Sequence, residues 1–306
     1  MGFFSSPQAP PPLPLPAIAP FASTLLTATG HPRALAIARA LPSWADWCVT
    51  LVLAQCALHL LLRVTGLVSG RTTSRDGKRQ LTDRALFAAY LVVSTVAVAL
   101  SSVIGYNAFI SQDLEPLWAN HMYGFHPSAQ QLGNLMTGYQ VYNLAMCAVI
   151  AEYRTAETLA HHVSTAVLSW CVDPLNGGYA NLYCLFFVGV AETSSVPLTV
   201  VDAAKYFPEL KKIGWLQMGA KLSFGLTFFL FRVAVWPVVS FFFQKENTQY
   251  ILGTHPLLLD GTVAAGKPQM WMLVMFGIGN AGLTVLQFVW AAKIIKMVQR
   301  MGKKKD

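Results

Sequence analysis

The sequence is poor in charge. Only 12% of its 306 residues are Asp, Glu, Lys or Arg, whereas 54% are apolar. A soluble globular domain carries roughly 25% charged residues, so this composition excludes an ordinary soluble domain. The positive mean hydropathy of +0.47 agrees with that exclusion. We therefore predict an all-α protein, a multi-pass bundle of transmembrane helices.

Acidic residues and metal-binding cysteine patterns are also scarce. The chain has 14 acidic and 22 basic residues, and the basic residues fall mostly in short loops and at the C-terminus. That distribution is typical of a membrane protein, and we expect no nucleic-acid partner. The five cysteines show neither CxxC nor Cys/His ligand spacing. We expect free packing thiols and no metal site or resident cofactor.

The first 43 residues lack the pattern of a regular helix. Prolines interrupt "MGFFSSPQAPPPLPLPAIAP", which also has neither the positively charged start nor the unbroken apolar run of a secretory signal. We predict a Pro-rich, disordered arm at 1–43. A first transmembrane helix and a basic cytosolic loop follow at 44–79, the main transmembrane domain at 80–300 and a basic cytosolic tail at 301–306.

Long apolar runs, in contrast, are abundant. A helix needs about 20 apolar residues to cross a bilayer. About seven segments approach that length, at 46–68, 84–105, 130–151, 156–173, 178–200, 215–243 and 269–295. Seven spans distribute the loop and tail Lys and Arg residues as sixteen on one side and four on the other. This asymmetry predicts a cytosolic C-terminus.

The last residues resemble a sorting signal. Lys303 and Lys304 stand four and three positions from the end, as in a dilysine retrieval signal that coat proteins recognise. Such a signal predicts the endoplasmic reticulum. The alternative is a basic tail that touches anionic lipid.

Several polar residues fall inside the predicted spans, where they are costly and require a partner or a cavity. Helix geometry places most of them at one level, about 8 to 12 Å from the cytosolic ends of their spans. Arg232 lies deeper, and Thr165 shares a helix face with the first histidine. We predict a polar pocket open to the cytosolic side and formed by Asn143, His161, His162, Thr165, Glu192, Lys221 and Arg232.

Four blocks occur in an order that resembles the TLC domain, which ceramide synthases share with translocating-chain-associating membrane proteins. They are "TGYQVYNLAMCAVIAEYRTAETLAHHVSTAVLSW", "AETSSVPLTVVDAAKYF", "LTFFLFRVAVWP" and "GNAGLTVLQFVWAAKIIK". In the synthases, a paired histidine acts in acyl transfer from acyl-CoA to a sphingoid amine. His161 and His162 match that pair. Where the synthases carry further acids, this chain has Glu192 alone, which resembles the small TLC-domain proteins more closely.

The resemblance implies a function in lipid handling or membrane lipid homeostasis, with membrane lipids as partners. A second hypothesis is an acyl-CoA-dependent lipid N-acyltransferase. It would use His161 or His162 as base, Glu192 to orient the base, and Lys221 or Arg232 as the positive group. Acyl-CoA would then be a co-substrate. A third is a non-enzymatic cargo receptor or translocon-associated helper, whose dilysine tail binds coat proteins. The sequence leaves the oligomeric state open.

Overall fold

The computed structural model describes Ala28 and residues 43–73, 80–110, 114–173, 178–259 and 270–302. Nearly all of the predicted N-terminal arm lies outside the described residues, as do Lys303 and Lys304. The described part is almost entirely helical, which confirms the all-α, multi-pass class. In chain order the α-helices are α1 (Ser43–Thr65), α2 (Arg84–Ile110), α3 (Glu115–Ala119), α4 (Pro127–Val149), α5 (Ala156–Trp170), α6 (Asn181–Cys184), α7 (Ser195–Tyr206), α8 (Pro208–Lys211), α9 (Gly214–Thr227), α10 (Trp236–Ile251), α11 (Pro256–Leu259) and α12 (Met270–Gly302).

Two of the long helical segments are locally irregular. Between α6 and α7 the chain forms a π-helix at Leu185–Gly189 and a 3₁₀-helix at Val190–Ser194. A second π-helix, Phe228–Val235, joins α9 to α10. A short 3₁₀-helix, Ala151–Tyr153, precedes α5. π-Helical turns are rare and often occur at functional sites.

Five helical segments are long and apolar enough to cross a membrane: Ser43–Thr65, Arg84–Ile110, Asn181–Tyr206, Gly214–Leu259 and Met270–Lys296. The predicted third and fourth spans form α4 and α5. Helix α4 has 23 residues and is rich in polar side chains, whereas α5 has 15 residues and measures about 22 Å. The count of seven spans therefore stays a prediction.

Both α4 and α5 nevertheless connect the two ends of the bundle. At one end Thr82 bonds Glu152 just after α4, and Lys293 bonds Glu157 in the first turn of α5. At the other, His126 caps the start of α4, and the backbone N–H of Tyr179 donates to the carbonyl of Cys171 after α5. We call the first the basic end, because it also carries Arg84, and the second the opposite end.

A small hairpin at the basic end is a departure from a purely helical chain. Strands β1 (Arg71–Thr73) and β2 (Gln80–Asp83) pair antiparallel. The hydroxyls of Thr72 and Thr82 both donate to the carboxylate of Glu152. These bonds fix the hairpin to the 3₁₀-helix between α4 and α5.

Apolar side chains cover both the interior and the outer surface. The core includes fully buried residues such as Phe87, Leu132 and Tyr142. On the outside, Leu60, Val96 and Leu222 are each more than half exposed. This distribution suits a bundle in lipid, where exposed apolar side chains contact hydrocarbon rather than water.

Candidate functional site: a polar cavity between the helices

A cavity of about 250 Å³ lies within the bundle towards its basic end. Its walls come from α2, α4, α5, α7, α9, α12, the short 3₁₀-helix before α5 and the two irregular segments, and they mix ionisable, hydroxyl and aromatic side chains. We call it the polar cavity. It is lined by Tyr90, Leu91, Ser94, Val98, Tyr139, Gln140, Tyr153, Glu157, Thr158, His161, His162, Glu192, Ser194, Ser195, Leu198, Thr199, Asp202, Phe224, Phe228, Arg232 and Trp290.

A buried ion pair forms one wall. Arg232 Nη2 lies 2.9 Å from Glu192 Oε1, and the two residues are 5% and 8% exposed. Arg232 Nε donates to Ser194 Oγ at 2.7 Å, and Ser195 Oγ donates to Glu192 Oε2 at 2.6 Å. Two charges in an apolar bundle require such mutual neutralisation and hydrogen bonding. The carboxylate of Glu192 is therefore committed to Arg232 and Ser195.

The irregular helices position this pair. Glu192 lies on the 3₁₀-helix, and Arg232 lies on the second π-helix. Just before the 3₁₀-helix, Gly189 packs against Gly105 of α2, and a Cβ on Gly105 would lie 2.8 Å from Gly189 Cα. Glycine is required on both helices at this crossing because any side chain would collide with backbone. The close crossing holds the start of the Glu192 segment against α2.

His161 and His162 both line the cavity, but their surroundings differ. His162 Nδ1 donates to Gln140 Oε1 of α4 at 2.5 Å. His161 packs its ring edge-to-face with Trp290 of α12, with centroids 5.6 Å apart. Its Nδ1 atom is buried and has no hydrogen-bond partner among the described residues. His161 is thus the imidazole available to a bound molecule, whereas His162 is fixed by Gln140.

The remaining predicted residues lie in three different places. Asn143 is fully buried behind the cavity wall and accepts a 2.9 Å hydrogen bond from Tyr90, which does line the cavity. Thr165 is buried one turn beyond His161 and does not line the cavity. Lys221, which the sequence predicts in the pocket, does not line the cavity, and its side chain is exposed on α9. Arg232 supplies the positive charge in its stead.

Sequence reasoning also assigned the orientation of the histidines to Glu192. The structure instead gives Gln140 this position, since both oxygens of Glu192 are engaged elsewhere. Gln140 could have been found from its spacing, because it stands three residues before Asn143 on a polar helix. Ser194 and Ser195 stand two and three residues after Glu192 and belong to the same sequence block.

Ion pairs mark the rim of the cavity. Glu157 accepts bonds from Lys293 at 2.9 Å, and Lys205 pairs with Asp202. These carboxylates are more exposed than Glu192, so water screens their charge. Within the described ranges, no group of three or more His, Cys, Asp or Glu side chains is placed to hold a metal ion.

Comparison with known proteins adds one match. The family model of the TLC domain matches residues 89–296, which is more than half of the chain. The matched range contains every residue of the ion pair and both histidines. Neither the curated proteins nor the solved structures contain a significant match to the chain.

Proposed function

Because the chain belongs to the TLC-domain family, we propose that it is a multi-pass endoplasmic-reticulum protein that handles membrane lipids. In this proposal the polar cavity binds the polar end of a lipid. The observation that carries it is a cavity of about 250 Å³ lined by His161 and by a neutralised Glu192–Arg232 pair. Ionisable side chains inside a membrane bundle are costly and typically mark ligand pathways.

The chemistry of the walls favours an amphipathic ligand. Tyr139, His161 and Ser195 supply hydrogen-bonding groups, while Leu198 and Phe228 supply apolar surface. Ligand sites commonly combine a mostly apolar wall with a few convergent polar groups. A lipid has the matching combination of a polar head and an apolar chain.

Comparison of lipid composition in cells tests this function. Cells lacking the protein would be re-supplied with the wild type, with His161→Ala, or with His59→Ala, a histidine outside the polar cavity. We expect the wild type and His59→Ala to restore the altered lipid classes and His161→Ala to leave them altered. Lipid profiles that are unchanged by loss of the protein would contradict the proposal.

A second candidate is lipid N-acylation, which the unpartnered Nδ1 of His161 favours. A neutral imidazole in this position accepts a proton from an attacking amine. The amine nitrogen bonds to the thioester carbonyl of acyl-CoA, the carbon–sulfur bond breaks, and the departing CoA thiolate takes up the proton. Arg232 stands in the wall as a source of positive charge near the reacting carbonyl.

Direct assay separates this candidate from lipid binding. The purified protein would be incubated with acyl-CoA and a sphingoid base, and the amide would be quantified. Acyl transfer predicts product from the wild type and none from the double change His161→Ala and His162→Ala. Absence of product from the wild type, or equal product from both, would exclude this candidate.

The location and the orientation are part of the same proposal. The basic end faces the cytosol in this account, as the distribution of Lys and Arg indicates. Changing Lys303 and Lys304 to Ser would move the protein out of the endoplasmic reticulum if the tail is a retrieval signal, which microscopy with compartment markers measures. An unchanged location would show that the tail is not a retrieval signal. The basis for a cycling cargo receptor would then be lost as well.

A further inference from the structure

A second cleft, of about 440 Å³, lies at the basic end outside the polar cavity. It is bounded by the start of α2, the turn after α7, helix α8 and the segment after α1. We call it the headgroup cleft. Leu91 of α2 lines both the headgroup cleft and the polar cavity and therefore separates them. The cleft is lined by Leu67, Val68, Ser69, Arg84, Ala88, Leu91, Val92, Ala203, Phe207, Glu209 and Leu210.

Most of the cleft wall is apolar and continues onto the lipid-facing surface. Leu67 is 75% exposed and Val92 is 52% exposed. Both line the cleft together with Ala88, which lies about one turn before Val92 on α2, a helix long and apolar enough to cross a membrane. A cleft whose apolar wall is continuous with this surface is accessible to a molecule already dissolved in the membrane.

Two oppositely charged side chains line the cleft and differ in their exposure. Arg84, the first residue of α2, has a side chain that is 21% exposed, whereas the Glu209 side chain is 66% exposed. Their Nη2 and Oε2 atoms are 2.7 Å apart. The positive group is therefore the more buried one, and the negative group is the more exposed one.

The guanidinium of Arg84 is held in position but retains hydrogen-bonding capacity. Its central carbon lies 5.0 Å from the centroid of the Phe207 ring, a cation–π contact. Its Nε atom is buried and has no hydrogen-bond partner among the described residues. Arginine binds phosphate well because its planar donors match the phosphate oxygens.

We propose that the headgroup cleft binds a zwitterionic phospholipid from the adjacent leaflet. In such a lipid the phosphate is next to the glycerol, and the amine lies farther out. This order matches the more buried Arg84 and the more exposed Glu209. The phosphate binds the Arg84 guanidinium, and the amine binds the Glu209 carboxylate. An acyl chain lies along Ala88 and Val92. Phosphatidylglycerol, an anionic phospholipid, has no amine and meets repulsion from Glu209.

A competition experiment on the purified full-length protein tests this assignment. Detergent micelles would contain equal amounts of phosphatidylcholine and phosphatidylglycerol, and native mass spectrometry would count each bound lipid. We expect the wild type to prefer phosphatidylcholine by about fivefold. Glu209→Gln removes the repulsive charge and is expected to abolish that preference. Arg84→Gln is expected to weaken binding of both lipids, and Arg84→Lys to restore part of it.

Two further variants separate lipid binding from loss of structure. Ala88→Phe fills the cleft without altering either charge, and we expect it to reduce retention of phosphatidylcholine. Lys211→Gln removes a neighbouring exposed charge outside the cleft lining and should bind as the wild type does. A wild-type preference for phosphatidylglycerol, or an unchanged lipid ratio in Glu209→Gln, would overturn the proposal. The comparison of Glu209→Gln with the wild type does not depend on the polar cavity, because Glu209 does not line it.

Discussion

The two ends of the bundle both bury polar side chains among aromatic rings, but they use them differently. At the opposite end, the Tyr179 hydroxyl donates to Asn247 Oδ1, and Asn247 Nδ2 donates to the carbonyl of Leu273 at 3.0 Å. The rings of Phe243 and Phe276 pack against Tyr179. Towards the basic end, the polar side chains surround a cavity, and His161 Nδ1 lacks a partner among the described residues.

The difference separates a structural polar network from a candidate binding site. When buried donors and acceptors satisfy one another, they rigidify a fold and leave nothing for a ligand. When a buried group remains without a partner beside open volume, it costs free energy unless a bound molecule satisfies it. By this criterion the Tyr179–Asn247 network at the opposite end stabilises the bundle, and the polar cavity is the candidate binding site.

The largest expected effect comes from the ion pair in the cavity wall. Glu192→Ala leaves Arg232 buried without its counter-charge and should lower the free energy of unfolding by roughly 3 to 5 kcal/mol. The double change Glu192→Gln and Arg232→Met removes both charges and should recover much of that loss. Unfolding in mixed detergent and denaturant measures both. A Glu192→Ala protein as stable as the wild type would show that the pair carries no buried charge.

A smaller effect is expected at the opposite end. Asn247→Ala removes the acceptor of the Tyr179 hydroxyl and the side-chain donor to the Leu273 carbonyl, and it should cost about 1 to 2 kcal/mol. The same variant should retain lipid in the polar cavity unchanged, as measured by native mass spectrometry. If Asn247→Ala lost both stability and bound lipid, the distinction between a structural network at the opposite end and a binding site towards the basic end would be wrong.

The smallest effect is a pH dependence at the opposite end. His121 Nδ1 lies 2.6 Å from Glu246 Oε1, and this hydrogen bond raises the pKa of His121 above its usual 6.5. A raised pKa in the folded state stabilises the protein fully below about pH 6.5, and this stabilisation is lost as pH rises through the folded-state pKa. The melting temperature should therefore fall above pH 6.5.

The control for that pH dependence is His121→Gln, which has no titrating ring. The difference in melting temperature between wild type and variant should be largest in mild acid and shrink at higher pH. A constant difference across this range would mean that the charge of His121 contributes nothing.

Much of the fold could be predicted from the sequence, because apolar length and loop charge determine helices in a membrane. The spans at 84–105 and 269–295 correspond to α2 and α12. The polar helix α4 was also predicted, although its composition falls below the criteria for a membrane-crossing helix. The two π-helices and the β-hairpin were not, since each depends on contacts between distant segments.

The candidate site was predicted in part. Depth along a helix predicts that His161, His162 and Glu192 lie at one level, with Arg232 deeper, and all four side chains line the polar cavity. Depth does not fix rotation about the helix axis, so Lys221 was placed inside although it faces out. The bond between Gln140 and His162 likewise depends on the relative rotation of α4 and α5, which a single sequence does not specify.

The central claim is that the polar cavity holds a lipid, and filling the cavity tests it most directly. Leu198→Trp adds bulk to the cavity wall, and Leu222→Trp makes the same change on the exposed face of α9. Native mass spectrometry would count the lipids that co-purify with the wild type and with each variant. We predict that Leu198→Trp retains one lipid fewer than the wild type and Leu222→Trp the same number. Equal numbers in all three proteins would contradict the account.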